Sequence, residues 1–244
     1  MTGLRPIVEL MYIDFFAMAM DQIANQAAKM RYMFGGQIGV PMIIRTQGGI
    51  GRSAGAQHSQ SLESWIMHLP GLYLCAPSTP NDAYHLLKKA INRSDPTIFI
   101  EHKMLYNTKG KLDKMNSAGD LNKASVRLLG KDITIISYSR MISLVNEAAS
   151  ILKNSNISVE IIDLRSLKPF DKETIIDLLS IGLEVFLTIP FSRRIRIKRV
   201  SVLLSIPNFF DKDVISIPSI GIEEINIIWG RVKFRCFNCV LNKH

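Results

Sequence analysis

Along residues 6–179, short apolar runs of strand length alternate with stretches that carry apolar side chains at helical spacing, and this rhythm limits the possible folds more than any other feature. Such alternation predicts a mostly parallel sheet covered on both faces. Strands are expected at residues 6–12, 40–44, 72–76 and 97–101, the first of them buried. A helix is expected over 16–31, ended by Gly35-Gly36. Another starts at Thr79-Pro80-Asn81-Asp82, which supplies a cap, a proline at the first helical position and an acid in the first turn.

The stretch 109–123, dominated by Gly, Asn, Ser, Lys and Asp, interrupts the rhythm and reads as a linker. A second alternation follows, with strand 132–138, helix 141–153, strand 159–164 and helix 171–179. After about residue 180 the pattern decays into Ile-rich, basic sequence without clear caps. The expected architecture is α/β in two domains, 1–108 and 124–244, each a mostly parallel sheet flanked by helices, the second divergent after about 180.

With 244 residues, 47% of them hydrophobic, the chain can build a real core. Its apolar stretches are cut by charge or glycine before ~18 residues, and no basic-then-apolar leader opens it, so neither a membrane span nor a signal peptide is expected. Three cysteines, Cys75, Cys236 and Cys239, argue against a disulfide framework and for a reducing compartment. The net charge of +9 is concentrated after Pro190, so a nucleic-acid surface is not the expectation.

Chemistry concentrates between Arg45 and Gln60, where a glycine-rich loop after a strand leads to His58. His58 is read as opening the next helix, where the local dipole disfavours the imidazolium and keeps a neutral ring able to move a proton. A histidine merely capping the helix is the plain alternative. Gly49-Ile-Gly51-Arg-Ser-Ala54 matches a dinucleotide pattern, but the next strand, 72–76, lacks the acid that would hold a ribose. Met11, Phe15 and Phe16 could pack on a flat heterocycle or simply belong to the core. The acids Glu9 and Asp14 flank this stretch, and Glu9, in an apolar strand, would need Arg5 or Arg45 as a partner and is read as a member of a structural ion pair. Cys236-Phe-Asn-Cys239 with His244 has half of a zinc-site spacing and no second pair, and Ser53 and Ser61 sit in no hydrolase elbow.

Several segments carry a family resemblance: Gly3-Leu-Arg-Pro-Ile-Val-Glu9, Gln26-Ala-Ala-Lys-Met-Arg-Tyr-Met-Phe-Gly-Gly36, Gln57-His-Ser-Gln-Ser-Leu-Glu63, Pro77-Ser-Thr-Pro80 and Asp95-Pro-Thr-Ile-Phe-Ile-Glu-His102. Ser137-Tyr-Ser-Arg-Met141 and Ile162-Asp-Leu-Arg-Ser-Leu-Lys-Pro-Phe-Asp171 continue it. Over residues 2–179 the chain resembles the β subunit of the thiamine-diphosphate-dependent E1 component of 2-oxoacid dehydrogenase complexes, the pyruvate and acetoin branch. The resemblance implies a pyrimidine-binding, transketolase-like domain followed by a transketolase C-terminal-like domain.

It also implies that Met11 and Phe15 contact the aminopyrimidine ring and that His58 is an active-site histidine near the reacting carbon. Backbone carbonyls of Met42, Ala90, Arg93 and Asp95 match positions that hold a structural potassium ion in some members. Diphosphate and magnesium would belong to an α subunit in an α2β2 assembly. The implied activity is oxidative decarboxylation of pyruvate with acetyl transfer to the lipoamide of an E2 acyltransferase. The alternatives are the acetoin dehydrogenase counterpart, or an inactive fragment that retains only subunit contacts. Such a protein would lie in the bacterial cytoplasm, or in the mitochondrial matrix or a plastid. In the family a segment before Thr2 contains a glutamate that drives the pyrimidine to its reactive form, and an acid-ended strand and a glycine-rich turn follow Leu179. This sequence departs from both, so the chain by itself is expected to be catalytically incompetent.

Overall fold

The structure, a computed structural model, describes residues 3–113 and 121–179, together with the backbone of two further strands. The first sheet contains β1 (Ile7–Leu10), β2 (Ile43–Gly48), β3 (Tyr73–Cys75) and β4 (Thr97–His102), all parallel, in the order β1-β2-β4-β3. The second contains β5 (Ser125–Leu128), β6 (Ile133–Ser137), β7 (Val159–Asp163), β9 (Glu184–Thr188) and β10 (Arg194–Ile197). There β6, β7 and β9 run parallel, with β5 and β10 antiparallel at the margins. The α/β architecture is as anticipated, with mixed rather than purely parallel sheets.

The helix expected over 16–31 changes pitch along its length. It is 3-10 over Ile13–Ala19, π over Gln22–Ala27 and α (α1) over Ala28–Met33. A 3-10 turn stacks residues three apart, and here that puts Ile13 and Phe16, both fully buried, on one side against the sheet. Burying two such side chains contributes about 2–3 kcal/mol each. The remaining helices are α2 (Glu63–His68), α3 (Pro80–Ile91), α4 (Met141–Lys153) and α5 (Lys172–Leu179). At the start of α3 the Thr79 hydroxyl accepts from the Asp82 amide at 3.1 Å, with Pro80 next to it.

Two strand expectations need correction. β1 is not buried: Ile7 and Val8 are 48% and 44% exposed because β1 is the outermost strand of its sheet. β2 starts at Ile43 rather than at residue 40, since Pro41 has no N–H for the ladder, and it continues through Arg45 to Gly48.

β8 (Ser166–Lys168), unforeseen, leaves the second half of the chain and pairs antiparallel with β3, so the far margin of the first sheet is supplied from beyond the linker region. One buried cluster accordingly runs through both halves, joining Ile44, Leu74 and Ile98 to Ile136, Ile162 and Leu167. Beside it lies a buried ionic knot. The Arg127 guanidinium donates to Asp82 and, at 2.8 Å, to Asp163, whose carboxylate also accepts from Ser78. Asp82 and Asp163 are 1% and 0% exposed, so neither charge has water to fall back on.

Cys236, Cys239, His244, the side chains of the basic run 193–199 and residues 114–120 of the expected linker lie outside the described residues. No helix among the described residues is long and apolar enough to cross a membrane.

Candidate active site

Parallel strands deliver their carboxyl ends to one margin of a sheet, and the segments leaving β1, β2 and β4 meet there. The segment after β1 brings Met11, Tyr12, Asp14 and Phe15. The loop after β2 doubles back, and the Gly49 amide donates to the Gln60 carbonyl at 2.9 Å, so residues 49–60 form a compact Ω-shaped excursion. The segment after β4 brings His102 and Lys103.

His58 does not open a helix. It ends a 3-10 turn (Ala56–His58), and α2 starts only at Glu63, so the dipole argument for a neutral ring loses its helix. What places the imidazole is aromatic contact: edge-on to Tyr12 at 4.5 Å and to Phe15 at 5.5 Å between centroids. Phe15 and Met11 remain 36% and 66% exposed, whereas Phe16 is core. Tyr12 was not among the candidates, although it stands between Met11 and Phe15.

The Asp14 carboxylate is turned to backbone: its Oδ1 accepts from the Ser59 and Gln60 amides at 3.2 and 3.1 Å, and its Oδ2 is buried with no hydrogen-bond partner among the described residues. Glu9 is not buried either: its side chain is 70% exposed, and Arg45 lies 4.0 Å from it but 2.8 Å from Glu101. Lys103, only 1% exposed, donates from Nζ to the His58 carbonyl and, at 3.5 Å, to the Ser59 hydroxyl. Nothing in the sequence spacing pointed to Lys103.

Two of the three loop glycines face protein atoms, and Gly55 faces open space. Gly49, at φ +86, has its open side against the His102 ring, and Gly51, at φ +118, against Met104 and Arg140. The approaches at Gly49 and Gly51 are contacts within the fold rather than a cradle for phosphate, and among the described residues no α-helix starts at the loop, so the dinucleotide pattern is coincidental. His102 accepts from the Met104 amide at Nδ1, which leaves its proton on Nε2. Burial, reinforced by the charges of Arg140 and Lys103, pushes His102 down to about 4. Burial pushes Glu63, at the start of α2, up to about 6.

The four carbonyls matched to potassium lie around the β2 and β4 entries and the end of α3. Those of Met42 and Ala90 accept from the Thr97 and Arg93 amides, and that of Asp95 accepts weakly from the Thr97 hydroxyl. The Arg93 carbonyl accepts from the Arg5 guanidinium at 2.7 Å, as does that of Ile91 at 2.8 Å. Positive charge therefore already faces part of this belt. Among the described residues no cluster of His, Cys, Asp and Glu could hold a metal ion.

Residues 1–109 match the family of the transketolase pyrimidine binding domain, and residues 122–185 that of the transketolase C-terminal domain. A split-gene transketolase superposes with a TM-score of 0.64 at 20% identity over 76% of this chain and 57% of that one. Fold and site thus define a transketolase-like two-part α/β chain.

The sequence is 46% identical over 175 residues to the acetoin:2,6-dichlorophenolindophenol oxidoreductase subunit beta of Cupriavidus necator, covering 72% of this chain and 52% of that protein. It is 49% identical over 175 residues to the pyruvate dehydrogenase E1 component subunit beta of Chaetosphaeridium globosum, covering 72% and 54%. Within the transketolase-like class, the chain is similar to E1 β subunits. It spans about half the length of these curated relatives.

Proposed function

We propose that the chain acts as the β subunit of a pyruvate dehydrogenase E1 component, in an α2β2 assembly that decarboxylates pyruvate and passes the acetyl group to lipoamide on an E2 acyltransferase. The observation that carries this reading is the convergence of Tyr12, Phe15 and His58, from two separate segments, on one partly exposed aromatic surface. An exposed ring face beside the exposed Met11 side chain fits a flat pyrimidine. When bound, thiamine diphosphate supplies the carbanion chemistry of the carbonyl carbon. This chain contributes the apolar wall of Met11 and Phe15 and, at the His58 imidazole, a group able to hold or hand over a proton.

Magnesium and diphosphate we assign to the α subunit. Potassium at the carbonyls of Met42, Ala90, Arg93 and Asp95 is part of the same reading, with the Arg5 guanidinium competing for the Arg93 carbonyl. The division into a pyrimidine-binding part (1–108), a linker (109–123) and a transketolase-C-like part (124–244) belongs to it as well. The compartment we assign is the bacterial cytoplasm, or the mitochondrial matrix or a plastid in a eukaryote. A second reading, the acetoin-type E1 β subunit, is supported by the relative from Cupriavidus necator.

The test mixes the chain with a matching α subunit, magnesium and thiamine diphosphate. A ligand that binds only the folded state raises heat stability with its concentration, by about 2.7 kcal/mol at a hundred times Kd. Turnover of pyruvate over acetoin selects the first reading. Stabilisation by NAD alone, without thiamine diphosphate, would overturn both.

A further inference from the structure

A buried lysine with no carboxylate beside it is costly, because its ammonium gives up water and gains only neutral acceptors. Lys103 is in that position: it is 1% exposed, its Nζ reaches the His58 carbonyl and the Ser59 hydroxyl, and no ion pair to it is formed among the described residues. On the other side of the same short segment, Asp14 Oδ1 accepts the amides of Ser59 and Gln60. Lys103 also holds the start of the loop, since its own carbonyl accepts from Arg52 Nη2 at 2.9 Å.

We propose that Lys103 and Asp14 are positioning residues for His58, a cationic and an anionic brace that grip the peptide from His58 to Gln60 from opposite ends of its dipoles. The claim rests on the functional reading above for what His58 does, but not for how it is held. The chemistry of the grip is specific. A lysine donates to a carbonyl and a carboxylate accepts from amides, so the two charges can act on one stretch of backbone without quenching each other. Charge-assisted hydrogen bonds of this kind are about twice as strong as neutral ones. They come from the 3-10 helix after β1 and from the residue after β4 rather than from the loop itself, so the loop takes its rigidity from its surroundings. The Gly49–Gln60 pair closes the neck of the loop but touches neither His58 nor Ser59. Without the brace, the His58 ring would keep only edge contacts with Tyr12 and Phe15, which set a distance but not a direction.

The test uses the full chain, alone and with its α subunit. Lys103→Met keeps the length of the side chain and removes the buried charge. It is expected to raise hydrogen exchange at the Ser59 and Gln60 amides about tenfold or more while the melting temperature stays level or rises. Asp14→Ala should do the same at both amides, and Asp14→Asn, whose side-chain carbonyl still accepts, should restore protection. In the assembled enzyme Lys103→Met should lower kcat about tenfold or more and leave KM within about threefold, the pattern of lost alignment rather than lost binding. Unchanged exchange and unchanged kcat in Lys103→Met would overturn the proposal. So would a uniform rise of exchange through β2 and β4, since Lys103 would then be holding the fold rather than the loop. If the exchange changes appear while the wild-type assembly turns over neither substrate, the brace stands and the functional reading falls.

Discussion

The imidazole of His58 stands edge-on to the ring of Tyr12, 4.5 Å between centroids with the planes at 90°. That contact separates two jobs within one cluster, because Phe15 is an exposed apolar ring while His58 carries the ring nitrogens. His58→Ala should lower kcat about a hundredfold and leave the heat stabilisation by thiamine diphosphate in place. Phe15→Ala should weaken that stabilisation instead. Thermal scans and steady-state rates on the assembled enzyme check the split, and equal losses in both variants would contradict it.

Gly49 and His102 occupy space that only one of them can enlarge. At φ +86 any L side chain is strained, and a Cβ at position 49 would run into the imidazole. Gly49→Ala should destabilise the chain by about 1–3 kcal/mol. Pairing it with His102→Ala should return the steric part but not the backbone part, so a double-mutant cycle in urea should give a non-zero coupling. Strict additivity would mean that the ring moves aside freely.

His102 and Glu63 set opposing slopes of stability against pH. His102 falls from 6.5 to about 4 in the fold, so its contribution is complete above 6.5 and is lost as pH drops toward 4. Glu63 rises from 4.5 to about 6, so its contribution is complete below 4.5 and is lost as pH climbs through 6. His102→Asn removes only the first slope. Relative to the wild type, the variant should therefore gain melting temperature at pH 4.5 compared with pH 6. Identical pH profiles for the two proteins would rule this out.

Arg127 is the cation that both Asp82 and Asp163 depend on. Burial raises the Asp163 carboxyl, and Arg127 pulls it back. Arg127→Met leaves two buried carboxylates facing each other, with only Arg165 at 3.7 Å from Asp82. A loss of about 3–5 kcal/mol is expected in urea denaturation. A loss under about 1 kcal/mol would show that water reaches the knot.

A fragment ending at residue 108 should be insoluble or self-associating. It lacks β8, so the N–H and C=O groups of β3 that face away from β4 would be left unpaired along an apolar strand. Size-exclusion chromatography distinguishes an associated fragment from a monomer, and a well-behaved monomer would mean that β8 is dispensable.

Strong local signals were legible in the sequence. Thr79-Pro80 set the start of α3, the periodicity of Met141–Lys153 matched α4, and the apolar runs placed β3, β4 and β7. What escaped was set by tertiary contact. β8 is only three residues long and exists because β3 offers it a margin. β1 reads as buried by its residues and is exposed by its place in the order of strands. At the site, Met11, Phe15 and His58 could be picked out by type and resemblance, and the structure brings Phe15 and His58 into contact. Asp14 and Lys103 could not be assigned roles, because hydrogen bonds from side chain to distant backbone leave no periodic trace. His58 misled, since a glycine-rich loop before a helix looks the same whether the helix starts at once or several residues later.

Tyr12, His58 and Lys103 stand on segments whose spacing is dictated by how Ile7, Ile43 and Thr97 line up as neighbours at the opposite margin of the sheet. The alignment of these three side chains is thus an inherited quantity, decided far below them.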